Sequence, residues 1–222
     1  MQALIVLAHP EPRSFNGAMF ETAVRALRAS GHDVSTSDLY RMGFDPVSSR
    51  RNFTGVQDPD YLKLQLEEMH ASETGGFAPE VEAEIAKMEA ADLMIWQFPL
   101  WWFGLPAILK GWVDRVFAMG RTYGNGHIYE TGKFRGKRAL LSLTTGGPAP
   151  AYARGGFNGD LDAILRPVQR GMLNFLGFSV LAPQVTYGPA RADQAQREAA
   201  LAAWARRLEG IASEPAIEVG AY

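Results

Sequence analysis

Short apolar runs alternate with helix-like stretches five times along this 222-residue chain, and that alternation restricts the fold more than any other feature. Ala3–Ala8 is a continuous apolar run rich in branched residues, as a strand covered on both faces reads. Asp92–Gln97 and Arg138–Thr144 repeat the pattern, and Phe178–Val185 closes the series. His32–Leu39 is more polar and suits an edge. A helix opens at Ser14, with Phe15, Met19, Ala23 and Ala26 on one side, and stops at Ser30-Gly31. Others are predicted over Pro79–Ala91, Pro106–Phe117 and Leu161–Leu176, where Pro167 should kink or restart the helix. Leu201, Trp204, Leu208 and Ile211 mark a last amphipathic helix, and the residues from Ser213 read as a tail. The alternation predicts an α/β fold, a parallel sheet with helices on both faces. At 47% hydrophobic, the chain can bury one core, so residues 1–222 read as a single domain.

Two long stretches lack a pattern, Tyr40–Pro79 and Ala118–Gly136. Segments of that length are usually functional or packed on a partner. A formal charge of −2 leaves no electrostatic footprint for nucleic acid. With no cysteine, disulfides, thiolate chemistry and cysteine-held metals are excluded. His9, His32, His70 and His127 are scattered without metal-ligand spacing, so no metal site is expected. The first residues carry no signal-peptide pattern, and their apolar run is too short to span a bilayer, so a cytoplasmic protein without an integral membrane segment is the expectation.

Neither the Gly-x-Gly-x-x-Gly fingerprint nor a P-loop is present. The loop after the first strand instead offers His9, Arg13, Ser14 and Asn16 around a helix start, a set that suits a phosphate or reduces to ordinary capping by Ser14. Gln97-Phe98-Pro99-Leu100-Trp101-Trp102-Phe103-Gly104 follows a buried strand and precedes a helix. Such a loop lies at the carboxyl edge of a parallel sheet, where ligands of open α/β folds bind. Three successive rings there cover something flat and apolar, unless they pack into the core. Thr144-Thr145-Gly146-Gly147 ends another strand, either as a tight turn or as a glycine floor that backbone groups share with a ligand. Tyr152 and Asn158 lie downstream in the same loop, and Asp160 and Asp162 open the next helix.

These stretches, together with Ser37-Asp38-Leu39-Tyr40, Glu89-Ala90-Ala91-Asp92-Leu93 and Pro106-Ala107-Ile108-Leu109-Lys110-Gly111-Trp112, resemble the NAD(P)H:quinone oxidoreductases of the DT-diaphorase type over nearly the whole chain. The resemblance implies a flavodoxin-like, doubly wound five-stranded parallel sheet, order 2-1-3-4-5, in an FAD-dependent homodimer. By family position His9, Ser14, Phe15 and Asn16 hold the FAD pyrophosphate. Pro99, Leu100, Trp101, Trp102 and Phe103 border the isoalloxazine, and Thr144, Thr145, Gly146 and Gly147 bond its polar edge. Arg197 matches a residue near the adenosine half. Substrate lies over Trp102, Phe103, Gly146 and Gly147, under a lid of Tyr123, Asn125, Ile128 and Phe175 from the partner chain.

The implied reaction is ping-pong: NAD(P)H passes hydride to flavin N5 and leaves, and a quinone then takes the same place. Tyr152 matches the tyrosine that steadies the reduced ring. Asn158 stands where many members carry a histidine, as it does in a paralogue class that favours smaller dihydronicotinamide donors. Trp101 replaces a polar residue and makes the site more apolar, and Asn125 replaces an aromatic and is expected to loosen the lid. Arg170 and Asn174 replace the histidines of zinc-binding paralogues, so no zinc is expected. Other readings of the resemblance are an azo- or nitro-compound reductase, an ancillary subunit of a potassium efflux channel, and a one-electron carrier, the last disfavoured by the near-neutral charge.

Overall fold

The first strand, β1 (Gln2–Leu7), is buried from its second residue onward, and its alternation decides the layering of the molecule. In the computed structural model, which describes residues 1–220, Ala3, Ile5 and Leu7 face one core and Leu4 and Val6 the other. Successive strand residues point to opposite sides, so a strand apolar at every position needs a helical layer on each. On one side lie α1 (Phe15–Ala29) and α6 (Gln194–Glu209), joined where Trp204 Nε1 donates to the Met19 carbonyl at 3.1 Å. On the other lie α2 (Leu64–Thr74), α3 (Pro79–Ala90), α4 (Ala107–Val116) and α5 (Leu161–Val168).

The sheet is parallel throughout and runs β2 (Asp33–Asp38), β1, β3 (Leu93–Pro99), β4 (Arg138–Thr145), then a fifth position filled by two short strands. This is the expected 2-1-3-4-5 order. The fifth position departs from the single strand predicted over Phe178–Val185. β5 (Ser179–Val180) pairs with the start of β4, and β6 (Gln184–Tyr187) with its end. Pro183 falls in the gap; it lacks the N–H that a ladder needs. The chain crosses from one half of the sheet to the other between β1 and β3, which opens a crevice beyond their carboxyl ends.

The expected irregular stretch Tyr40–Pro79 is corrected by α2. Its sequence carries no apolar stripe; it is held instead by two buried carboxylates. Glu67 accepts from the backbone amides of Gln57 at 2.7 Å and Asp58 at 2.9 Å. Glu68 accepts from the Met119 amide at 2.8 Å, and Ser72 Oγ donates to the Met119 carbonyl at 3.0 Å. α2 is therefore the anchor of the loop that starts at Ala118. Pro167 does not restart its helix: α5 runs through it and widens into a π-helical turn over Gln169–Asn174. A residue without an N–H breaks the four-residue ladder, which resumes one step wider. The expected tail also needs correction at its start. Ile211–Ser213 is a 3-10 turn, the Ile217 amide donates to the Val180 carbonyl at 2.9 Å, and the residues beyond Gly220 lie outside those described.

Candidate functional site

Loops following β1, β3, β4 and β6 converge beyond the carboxyl ends of the strands and line three clefts with shared walls. The middle cleft, about 500 Å³, is bordered by His9, Ser14, Phe15, Trp101, Thr145 and Arg197. It shares Leu100, Trp101 and Gly146 with a cleft of about 680 Å³ that also holds Trp102, Phe103, Gly147, Tyr152 and Asn158. It shares Phe15, Gly188, Pro189 and Arg197 with an outer cleft of about 520 Å³ against α6.

Ser14 shapes the middle cleft. Its Oγ accepts from the Gly17 amide at 3.1 Å and caps α1. The amides of Phe15 and Asn16 have no partner among the described residues and remain as donors at the positive end of the helix. Gly17 is required here, because a Cβ would stand 2.0 Å from the Pro12 carbonyl oxygen. The Asn16 side chain, in contrast, is spent within the floor. Its Nδ2 donates to Thr144 Oγ1 at 2.9 Å and its Oδ1 accepts from Gln97 Nε2 at 2.9 Å; Ser142 Oγ completes the chain by donating to Gln97 Oε1 at 2.7 Å. All four side chains are buried. His9 stacks obliquely on Trp101, centroids 6.0 Å apart.

The glycine floor is pinned from below. Thr145 Oγ1 donates to the Gly147 carbonyl at 2.9 Å. A Cβ at Gly146 would meet open space, whereas one at Gly147 would lie 3.1 Å from both Asn158 Nδ2 and Tyr152 Cε2. Tyr152 and Asn158 therefore press on the inner end of the floor, and Gly146 offers the bare approach.

The facing wall is strained. Trp102 and Phe103 have φ of 51° and 58°, and the Gly104 amide closes the turn on the Trp101 carbonyl at 3.0 Å. Both central residues of such a turn prefer Asn or Gly; bulky side chains there cost about 1–2 kcal/mol each. Trp102 is 97% exposed, so no packing within the chain repays it. Phe157, at 98%, stands on the same rim. Strain that packing does not offset points to a ligand-facing element.

The predicted lid residues gather elsewhere. Tyr123 and Phe175 rings meet at 5.6 Å, and Ile128 is exposed. None lines the groove of its own chain. Burial and the nearby Glu68 raise the Tyr123 phenol above its ordinary value. Asn125, expected to loosen the lid, sits in a tight turn. At φ 53° it precedes Gly126 at φ 80°, and the His127 amide closes on the Gly124 carbonyl at 3.0 Å. Asn-Gly is the favoured pair for such a turn.

Sequence reasoning missed Arg191, Gly188 and Pro189, which border the groove from the segment after β6. Gly188-Pro189 was a visible turn signal, but only the sheet order brings it beside Gly146.

A family profile described as the flavodoxin-like fold matches residues 1–208. The NAD(P)H dehydrogenase (quinone) 1 of Cavia porcellus is 48% identical over 214 residues, 96% of this chain and 78% of that protein. The ribosyldihydronicotinamide dehydrogenase (quinone) of Rattus norvegicus is 44% identical over 217 residues, 97% and 94% of the two chains. A solved structure from Klebsiella pneumoniae, described as a candidate quinone reductase, superposes with a TM-score of 0.94 at 41% identity, covering 98% of this chain and 87% of that one. With this groove at the sheet's carboxyl edge and these likenesses along nearly its full length, the chain belongs to the NAD(P)H:quinone oxidoreductase family of the flavodoxin-like fold.

Proposed function

We propose that the chain is an FAD-dependent reductase that takes hydride from NAD(P)H and delivers two electrons to a quinone, as a homodimer. The observation that carries this reading is the confluence of three clefts, one walled by rings over a glycine floor. FAD has three parts in the same order: a flat tricyclic ring, a pyrophosphate and an adenosine. The residues fit each part. The uncommitted amides of Phe15 and Asn16, with Arg197, suit the pyrophosphate. The outer cleft against α6 gives the adenosine a seat that a mononucleotide would leave without purpose.

Bound FAD supplies the hydride-accepting ring. The chain's task is to seat that ring, present it and hold donors at its polar edge. Asn16, Thr144, Gln97 and Ser142 fix the floor through buried hydrogen bonds. Trp102 and Phe103 give the exposed face a stacking surface for a nicotinamide or a quinone in turn. Tyr152 and Asn158 press on the inner end of the floor, where they would offer preset donors to negative charge on the reduced ring. Asn158 is a neutral donor: an amide does not become a cation. A hydrogen bond from a charged donor is worth about 1.5–3 kcal/mol against about 1 for a neutral one, so if a protonated histidine acts at this position in relatives, the amide would forgo about a factor of ten in flavin reduction. The lid residues lie away from their own groove, and a second copy of the chain would supply them.

Anaerobic stopped-flow mixing of the FAD-loaded protein with NADH or NADPH, then with a benzoquinone, tests the reading. Fast bleaching followed by single-step reoxidation is expected. No bleaching by any dihydronicotinamide overturns it, and a monomer by sedimentation overturns the shared site. Asn158→His should quicken bleaching at acid pH; unchanged kinetics across pH would remove any charge-based role for this position.

A further inference from the structure

Arg191 ends the 3-10 turn Pro189–Arg191 that follows β6. Gly188 starts that turn at φ 57°, its amide donating to the Thr145 carbonyl at 2.9 Å. A Cβ at Gly188 would lie 3.7 Å from the Gly147 carbonyl oxygen and 3.8 Å from that of Gly146, so the turn rests on the glycine floor. Both Arg191 terminal nitrogens donate to the Gly146 carbonyl at 2.6 Å. The side chain is exposed, and among the described residues no carboxylate pairs with it. Two donors on one neutral oxygen use only part of a guanidinium's fork and leave its charge unmatched.

Two arginines divide the groove. Arg197 borders the middle and outer clefts and not the ring-face cleft. Arg191 borders the ring-face and outer clefts and not the middle one. Among the described residues, Arg191 is also the one charged side chain lining the ring-face cleft, where the remaining walls are aromatic, aliphatic, glycine or the Asn158 amide. Stacking alone holds a benzoquinone or a phosphate-free dihydronicotinamide riboside there. A nicotinamide dinucleotide brings phosphates as well, and Arg191 is the charged group in this cleft that could meet them.

We infer that Arg191 is a specificity-determining residue that recognises the phosphates of the hydride donor and favours dinucleotide donors over phosphate-free ribosides. This rests on the flavin-reductase reading above. It also separates donor from acceptor in one cleft: the donor uses stacking and charge, the quinone stacking alone.

The test uses the FAD-loaded protein and the variants Arg191→Gln and Arg191→Lys. Apparent donor Kd comes from the concentration dependence of anaerobic bleaching, with NADH, NADPH and N-ribosyldihydronicotinamide compared. FAD Kd comes separately from fluorescence titration of the apoprotein. Arg191→Gln should raise the Kd of phosphate-bearing donors about tenfold, the loss of one charge-assisted hydrogen bond at an exposed site. The riboside Kd should change far less than that of the phosphate-bearing donors, and the separate FAD Kd distinguishes a loosened floor from a lost donor contact. Arg191→Lys should restore part of the loss, and the salt dependence expected with NADPH should vanish in the glutamine variant. An equal effect on NADH and NADPH assigns the diphosphate, and an effect on NADPH alone assigns the 2′-phosphate; either supports the inference. Weakened FAD with unchanged donor ratios overturns it, as does an equal loss for all donors. A wild type bleached by nothing means that the flavin-reductase reading has failed. Normal bleaching with an unaltered donor profile in the glutamine variant means that only the role of Arg191 has failed.

Discussion

Replacing Gly17 with alanine tests whether the loop before α1 shapes its anion-binding end. The new Cβ would stand 2.0 Å from the Pro12 carbonyl oxygen and 2.9 Å from its carbon. Both are backbone atoms, so no rotamer relieves the clash. Cβ contacts essentially never fall under 3.0 Å, and loop or helix must therefore shift by about 1 Å. Three effects compete. Alanine favours the helix by about 1 kcal/mol over glycine. The Ser14 cap, at 3.1 Å to the residue 17 amide, is stretched and loses about 1 kcal/mol. Overpacking costs about 1–3 kcal/mol. The apoprotein should lose about 1–3 kcal/mol in urea unfolding. Flavin binding should suffer more. The amides of Phe15 and Asn16 sit on the displaced segment, and each hydrogen bond to a charged acceptor is worth about 1.5–3 kcal/mol. FAD Kd by fluorescence titration should rise by about ten- to a hundredfold. An alanine variant that is more stable than wild type and binds FAD equally well would refute the reasoning: the loop would then yield freely, and Pro12 would have no part in the seat.

Trp102→Gly should raise apoprotein stability by about 1 kcal/mol, because the positive φ is relieved and almost no packing is lost, while KM for benzoquinone rises several-fold; urea midpoints and steady-state kinetics check the two halves. Gln97→Leu strands the Asn16 and Ser142 side chains in a buried site and should cost about 3 kcal/mol in the same unfolding assay. Two neighbouring glutamates should give stability opposite slopes in pH. Burial raises the Glu68 pKa, with the Met119 amide opposing it, so its contribution is full below the ordinary glutamate range and declines as pH rises through the folded value. The Gln57 and Asp58 amides lower that of Glu67, so its contribution is full above that range and is lost as pH falls through the folded value. Urea midpoints across acid to neutral pH should flatten on the upper side in Glu68→Gln and on the lower side in Glu67→Gln.

The parts legible in the sequence are those whose signal is local. β1, β3 and β4 are mostly apolar and buried along nearly their whole length, Ser14 and Asp160 cap the helices they precede, and the Trp101–Phe103 and Thr144–Gly147 stretches fall at strand ends, where the fold puts its crevice. What escaped depends on partners far along the chain. α2 has no apolar face of its own; its buried carboxylates meet loop amides at 57, 58 and 119, the last 51 residues away, and no apolar pattern marks those bonds. Asn16 looks like a ligand for phosphate until Gln97 and Thr144 are seen to take its side chain. Arg191 carries no motif and gains meaning only from the carbonyl of Gly146 across the sheet. Pro183 and the Asn125-Gly126 pair were plain in the sequence, and each outranked the pattern around it.

The broken fifth strand bears on solubility. An unpaired sheet edge templates addition of strands from other chains. One edge, β2, reads Asp33-Val34-Ser35-Thr36-Ser37-Asp38, with an acid at each end to repel a copy of itself. The other is cut into pieces of two and four residues by Pro183, and the segment at Ala216-Ile217 is laid against the first piece. Removing the residues after Ser213 would leave the groove whole and bare that edge. The expected consequence is a chain that folds and turns over normally when dilute but forms fibrous or amorphous aggregates on concentration, a fault of colloidal behaviour rather than of chemistry.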